Sequence, residues 1–261
     1  AKIIDHQHNE TTAFEYNDRS FLTRAVYNGK EEVWRAADKL GNLYEAPDRT
    51  DRMYDGSRLE YDGKQHFYYY YDCEGNLILK SPSHRHGKKP DTSWGMCSYS
   101  YEWNGNESLK SVTTPTGKKI EFKYDAFGRR ISKRQSLTET HFVWDGNTLL
   151  HEWKTFDYKD TAPKDCITWV FQNFVPVAKI QGDKHYSIIS DHLGTPILAT
   201  DEQGNKVWER TLDIYGRVRK EEGEKGFCNM LYQGQYLDTE TELVYNYKRY
   251  YSQETGAYIS Q

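Results

Sequence analysis

No stretch of this sequence approaches the roughly 18 consecutive apolar residues that a membrane-crossing helix needs, and the N-terminal "AKIIDHQHNE" lacks the apolar core of a signal peptide. A membrane span is therefore not expected. Charge of one sign is also missing: 35 basic against 39 acidic residues give a formal net charge of -4, too weak a field to gather nucleic acid or anionic lipid. Cysteine is scarce. Cys73, Cys97, Cys166 and Cys228 stand far apart with no CxxC pair, so neither a zinc site nor a disulfide framework is supported and reduced structural thiols are expected. "HQH" (His6, His8) and "HRH" (His84, His86) each bring two imidazoles. Without a cysteine or acidic ligand at fixed spacing they read as solvated loop or strand, so no metal and no cofactor is expected. No apolar stripe of period 3.6 runs for three turns, which argues against helices.

What is present is tyrosine. Hydrophobic residues make up 36% of the chain and the mean hydropathy is -0.94, a composition that would suggest disorder were the aromatic fraction not 15%, with 22 Tyr among 261 residues. Each ring removes on the order of 150 to 250 Å² from water while its hydroxyl still needs a partner. Such a chain suits a thin sheet with water near both faces better than a thick oily core, and an all-β architecture of this length need not be divided.

The sequence also repeats. An extended aromatic run, an Asp, two or three loose positions, a Gly, a polar or basic residue and an apolar residue recur around Asp38, Asp55, Asp72, Asp125, Asp145, Asp201 and Asp213. Asp38, Asp55 and Asp72 are 17 residues apart, and Asp125 and Asp145 are 20 apart, room for one hairpin per unit. In "KKIEFKYDAFGRRISKR" the residues Ile120, Phe122 and Tyr124 alternate with Glu121 and Lys123, giving one buried and one wet face. Asp125 is placed to cap the turn and Gly128 to take its positive φ. "DRTDRMYDGSR" and "PSHRHGKKPDTSWG" read as loops. The expectation is an all-β fold: a curved antiparallel sheet of repeated hairpins, with two unpaired edges that call for a partner or self-association.

These units resemble the YD repeats of Rhs proteins, of the C component of bacterial Tc toxins and of the teneurins. "YDAFGRR" carries the motif, and "HYSIISDHLGTPILATDEQGNKVWERTLDIYGRV" with "LYQGQYLDTETELVYNYKRYYSQETGAYIS" is similar to the Rhs-associated core. The resemblance divides the chain into a YD strip over residues 1–184 and the core end of a spiral β-shell over residues 185–261. It implies a structural role: the shell of a polymorphic toxin, enclosing a C-terminal toxic domain or a separate cargo chain. Remaining shell segments, a secretion-system spike and an immunity protein are the further partners it implies. The setting would be a bacterial protein, cytoplasmic before export and then secreted or delivered by a specialised system. In this family an arginine assists two autoproteolytic aspartates, and Arg249 matches its position. Those aspartates would lie past Ile259, so this polypeptide is not expected to cleave itself, and Arg249 is either their remnant helper or a strand residue paired with a wall acid. Against the family's length the chain is either the last turns of a spiral, a fragment or a reduced relative. A non-enzymatic adhesion or carbohydrate-binding module and an aspartic autoprotease segment are the alternatives.

Two other stretches invite chemistry. Ser190, Asp191 and His192 are contiguous, and neighbours on a strand face opposite ways, so they cannot form a relay; Asp191 and Gly194 are expected to shape a turn. The basic residues 117–134 read as a solvated strand face, and Phe67–Tyr71 as aromatic ladders on both faces of the wall.

Overall fold

The computed structural model describes residues 1–6, 8–86, 91–156 and 165–260, and among them there is no helix. A small N-terminal sheet holds β1 (Lys2–Asp5), β2 (Glu10–Tyr16), β3 (Leu22–Tyr27) and β4 (Glu31–Trp34) in sequence order. A two-stranded ladder of β5 (Ala36–Ala37) and β6 (Leu43–Tyr44) follows.

The main wall then runs through β7 (Arg52–Asp55), β8 (Arg58–Asp62), β9 (Phe67–Tyr71), β10 (Leu77–Ser81), β11 (Tyr99–Trp103), β12 (Leu109–Thr113), β13 (Lys119–Tyr124), β14 (Arg130–Gln135), β15 (Thr138–Asp145), β16 (Thr148–Phe156), β17 (Ile167–Gln172), β18 (Val175–Gln181), β19 (Lys184–Ser190), β20 (Pro196–Thr200), β21 (Lys206–Leu212) and β22 (Val218–Gly223). These 16 strands form one antiparallel meander. It is continuous across residues 184 and 185, since β18 and β19 pair through Gln181 and Lys184. A last sheet of β23 (Gln235–Asp238), β24 (Leu243–Asn246), β25 (Arg249–Ser252) and β26 (Ala257–Tyr258) closes the chain.

The expected curved antiparallel sheet of hairpins is therefore the main body, accompanied by three smaller sheets. One expectation needs correction: "DRTDRMYDGSR" is not a loop. It contains β7 and the start of β8, joined by the two residues Gly56 and Ser57. Its charge hid it, because Arg52 is only 4% exposed and faces inward on Asp62. Elsewhere the alternation holds, with Ile120 and Phe122 buried on β13 while Lys119, Glu121 and Lys123 are exposed.

The wall is curled, and the pairing shows why. Every hairpin that joins an odd-numbered wall strand to the next even one, from β7–β8 to β21–β22, carries a register shift, a β-bulge. In an up-and-down meander all these connections lie on one rim. Of the opposite-rim pairings only β20–β21 carries one. A bulge inserts a residue and raises local twist, so placing them almost all along one rim bends the ribbon. Laid flat, 16 strands about 4.8 Å apart would span roughly 72 Å, yet Arg52 of β7 bonds Thr255 and Arg210 of β21 bonds Cys228, and strands between them share one core cluster with Phe227, Tyr236, Tyr245, Tyr250 and Ile259.

The bulge also explains the repeat's aromatic residue. Tyr54, Trp103, Tyr124 and Trp144 each precede a turn on the bulged rim, turn inward and donate to a carbonyl of the preceding hairpin: Leu43 O at 2.6 Å, Leu77 O at 2.8 Å, Leu109 O at 2.7 Å and Arg130 O at 2.7 Å. Tyrosine and tryptophan interchange here because either supplies a ring and a donor. "FYYYY" divides as expected, with Tyr69 buried and Phe67 and Tyr71 against the core, while Tyr68 stacks outside on Tyr61 at 4.6 Å.

Candidate functional site

The repeat aspartates stay on the rims and shape turns. At Asp38, Asp125, Asp191, Asp201 and Asp213 one carboxylate oxygen accepts the main-chain N–H groups two and four residues on, and Asp72 accepts that of Asn76. Three residues after the Asp stands a glycine at positive φ, 82° at Gly128 and Gly194 and 84° at Gly216. Gly194 is doubly constrained, since a Cβ there would come within 2.7 Å of Gln233 Nε2 and 2.8 Å of Val175 Cγ2. Asp55 and Asp145 differ: they end strands ahead of two-residue turns led by Gly56 and Gly146, and among the described residues their carboxylates accept no hydrogen bond. The same main-chain turn recurs at Asn104–Glu107 and Thr114–Gly117, where the sequence pattern had no Asp to announce it. Asp191 is thus a turn residue beside an exposed His192, and no relay forms.

The side chains with the most unusual environments lie inside the curl, where residues 224–260 cross the wall. Lys179 Nζ donates to Phe227 O at 2.8 Å, and the Arg210 guanidinium holds the carbonyls of Cys228, Met230 and Pro196. Lys179 is 3% exposed, and its burial pushes the ammonium below its usual range. Glu152 accepts from Tyr236 Oη at 2.6 Å and Trp169 Nε1 at 2.9 Å.

At the centre, Asp238 on β23 is fully buried between Arg130 and Lys133 of β14. Lys133 also reaches Glu240 at 2.8 Å. The Arg130 guanidinium lies over four rings, 4.5 Å from Tyr245, 4.7 Å from Phe142, 5.4 Å from Tyr236 and 5.5 Å from Phe122. Burial alone would raise the Asp238 carboxyl, but Arg130 and Lys133 outweigh it and hold it below the ordinary 3.8. The reading of residues 117–134 as a solvated basic face holds for Lys119 and Lys123, which are exposed, and is corrected for Arg130 and Lys133, 1% and 7% exposed: Lys133 lies opposite the inward Phe122, and the bulge in β13–β14 turns Arg130 inward opposite Tyr124.

Further along, Tyr124 and Tyr250 hydroxyls meet at 2.9 Å, Lys80 pairs with Glu254, and Leu77 N donates to Ile259 O at 2.8 Å. Arg249 is exposed and stacks 3.7 Å over the Tyr258 ring, and among the described residues it forms no salt bridge to an acid of the wall. A cavity of about 80 Å³ remains between Tyr69, Tyr71, Tyr101, Glu254 and Ser260. Among the described residues no three or more His, Cys, Asp or Glu side chains group as a metal site would need. Among the described residues no helix is long and apolar enough to cross a membrane.

The arrangement is one of holding. Cations, carboxylates and phenols of the wall grip the polar and main-chain groups of the final strands. Arg52, Glu45, Asp238 and Glu254 escaped the sequence reading because nothing in their local pattern separates an inward charge from an outward one.

A Tyr-Asp hairpin meander folded around its own last strands defines a β-shell wall. The chain belongs to the teneurin YD-shell family, whose model matches residues 1–261. It is 29% identical over 201 residues to the probable deoxyribonuclease RhsB of Dickeya dadantii (strain 3937), covering 74% of this chain and 13% of that protein. It is 27% identical over 264 residues to the double-stranded DNA deaminase toxin A of Burkholderia cenocepacia (strain H111), covering 89% of this chain and 17% of that protein. The fold matches that in the crystal structure of TcdB2-TccC3-Cdc42 with a TM-score of 0.52 and 14% identity, over 98% of this chain and 17% of that one. The chain thus spans less than a fifth of the length of the relatives it matches.

Proposed function

We propose that this chain is the closing end of the shell of a polymorphic toxin, with residues 1–184 as wall and 185–261 as its core end, of which β19–β22 continue the wall and residues 224–260 close it. It works by enclosure and carries out no chemistry itself. The observation that supports this most is the gripped C-terminal segment: residues 224–260 lie within the curl and pack against strands from β8 to β21, with Arg130, Lys133, Lys179 and Arg210 of the wall holding them, so the space inside the curl is taken by the chain's own last strands rather than by a folded passenger. The space for a cargo would then lie beyond this sealed end, bounded by further shell segments, in keeping with the far greater length of the relatives. The nuclease and deaminase named for those relatives would be the cargo's activity. The partners are a toxin domain or cargo chain, the remaining shell and, before delivery from a bacterial cell, an immunity protein and a secretion-system spike.

The test is limited proteolysis and electron microscopy of the whole gene product that contains this region. The expected result is a hollow particle with a protease-protected passenger and this segment at one pole. A passenger cleaved as fast as the free domain, or a particle with no lumen, would refute the reading.

A further inference from the structure

β7 and β22 end the wall, and neither pairs with the other. Their margins nevertheless meet, with residues 1–45 and β7 on one side and β21, β22 and the turn between them on the other. Among the described residues no main-chain hydrogen bond joins residues 1–64 to residues 205–223. Side chains make the junction. The Glu45 carboxylate, 4% exposed, takes Arg217 at 2.7 Å, Lys64 at 2.6 Å and Arg52 at 3.3 Å. The Tyr215 hydroxyl donates to Trp34 O at 2.9 Å. Farther along, Arg219 reaches Glu31 at 2.6 Å and lies 3.6 Å over Tyr27, Glu209 meets His8 at 3.1 Å, and Lys220 pairs with Glu10.

On the inner side one short turn lies across both margins. Gln253 Nε2 donates to Gly216 O on the β22 side. Arg52 on the β7 side donates to Glu254 O at 2.6 Å and Thr255 O at 3.1 Å. Gly256 is wedged between them: a Cβ there would stand 2.7 Å from Tyr215 Cε1 and 2.9 Å from Leu43 Cδ1.

We infer that this seam is the line along which the wall parts, and that the turn Gln253–Gly256 is the latch that keeps it shut. Every other boundary between neighbouring wall strands is a β-ladder whose backbone bonds must break together. The seam alone opens with the loss of side-chain contacts only. Withdrawing the turn releases Gly216, strips two acceptors from Arg52 and opens the packing at Tyr215 and Leu43 at once. Because Arg52 also holds Glu45, the latch and the ionic junction loosen together. A pull on the C-terminal strands is thereby converted into lateral opening, whether or not anything is enclosed.

The experiment is hydrogen exchange by mass spectrometry on the 261-residue chain and on two variants. Gly256→Val forces the latch away from Tyr215 and Leu43 without touching a wall ladder. Glu45→Gln weakens the junction from outside the latch. Each is expected to speed exchange at least tenfold in segments 43–55 and 209–223, and also in 8–16, which the latch does not touch, while 120–150 stays unchanged. Acceleration confined to the neighbours of the substituted residue, or spread equally over 120–150, would overturn the inference. If Gly256→Val does not fold, the Glu45→Gln pattern decides by the same criteria.

Discussion

Replacing Asp238 by asparagine removes a negative charge from a site with no solvent exposure and leaves the Arg130 guanidinium, 1% exposed, without an anion. Lys133 keeps Glu240 at 2.8 Å, so the loss falls on Arg130. Its ring cage is present with either residue and does not change the difference. Removing one partner of a buried ion pair costs about 3 to 5 kcal/mol. In a chain of this size each kcal/mol moves the thermal midpoint by about 2 to 4 °C, so the melt should fall by roughly 6 to 20 °C. Tryptophan fluorescence during urea and thermal unfolding measures both. The paired substitution Arg130→Met with Asp238→Leu, which empties the site of its unmatched charge, should recover most of the loss. The pH dependence has a definite sign. The Asp238 carboxyl lies below its ordinary 3.8 in the folded state, so its contribution is full above 3.8 and is lost as pH falls through the folded value. The asparagine variant should lack that acid-side decline. A single substitution costing under about 1 kcal/mol, or a paired one as damaging as the single, would refute the account of a charge lock.

Three further outcomes follow from the same geometry. Asp125→Ala should cost about 0.5 to 2 kcal/mol in a urea titration, as loss of a carboxylate cap does, since it strips the acceptor from Phe127 and Arg129 N–H; Asp55→Ala, whose carboxylate accepts no hydrogen bond among the described residues, should fall within about 0.5 kcal/mol of the parent. Tyr124→Phe leaves Leu109 O without the phenol and the Tyr250 hydroxyl with only Arg130 Nη1 at 3.5 Å and should cost about 1 to 3 kcal/mol, whereas Tyr68→Phe on the outer face should be close to neutral in the same thermal melt. Burial pushes the phenols of Tyr54, Tyr232 and Tyr245 up to about 12; their contribution is full below pH 10 and is lost as pH rises through 12, so the part of the 295 nm phenolate absorbance that disappears when these three are replaced by Phe should rise together with unfolding rather than ahead of it.

The hairpins were legible from sequence wherever the repeat kept its aspartate and glycine. Asp125 with Gly128 and Asp191 with Gly194 form the turns that their chemistry demands, because an Asx-type turn needs only five consecutive residues. Asn104–Glu107 was not legible, since Glu107 takes the positive φ of 64° that the pattern reserves for glycine. Nor was β7, whose Arg52 reads as a surface charge until Asp62, Glu45 and the Thr255 carbonyl are placed around it. The basic run at 117–134 misled for a related reason. A one-residue bulge reverses the side on which Arg130 points, and alternation counted along β14 alone does not register it.

The chain's alternation of aromatic and polar residues and its turn chemistry decide, by themselves, that it forms antiparallel hairpins of about 20 residues with tyrosine on their faces, because both signals are satisfied within a single hairpin. Which charges turn inward, and that the last strands lie inside the curl, belong to tertiary structure alone. Arg130 and Asp238 are 108 residues apart, and they meet only because bulges along one rim sum over 16 strands into a bend. No local window contains that sum.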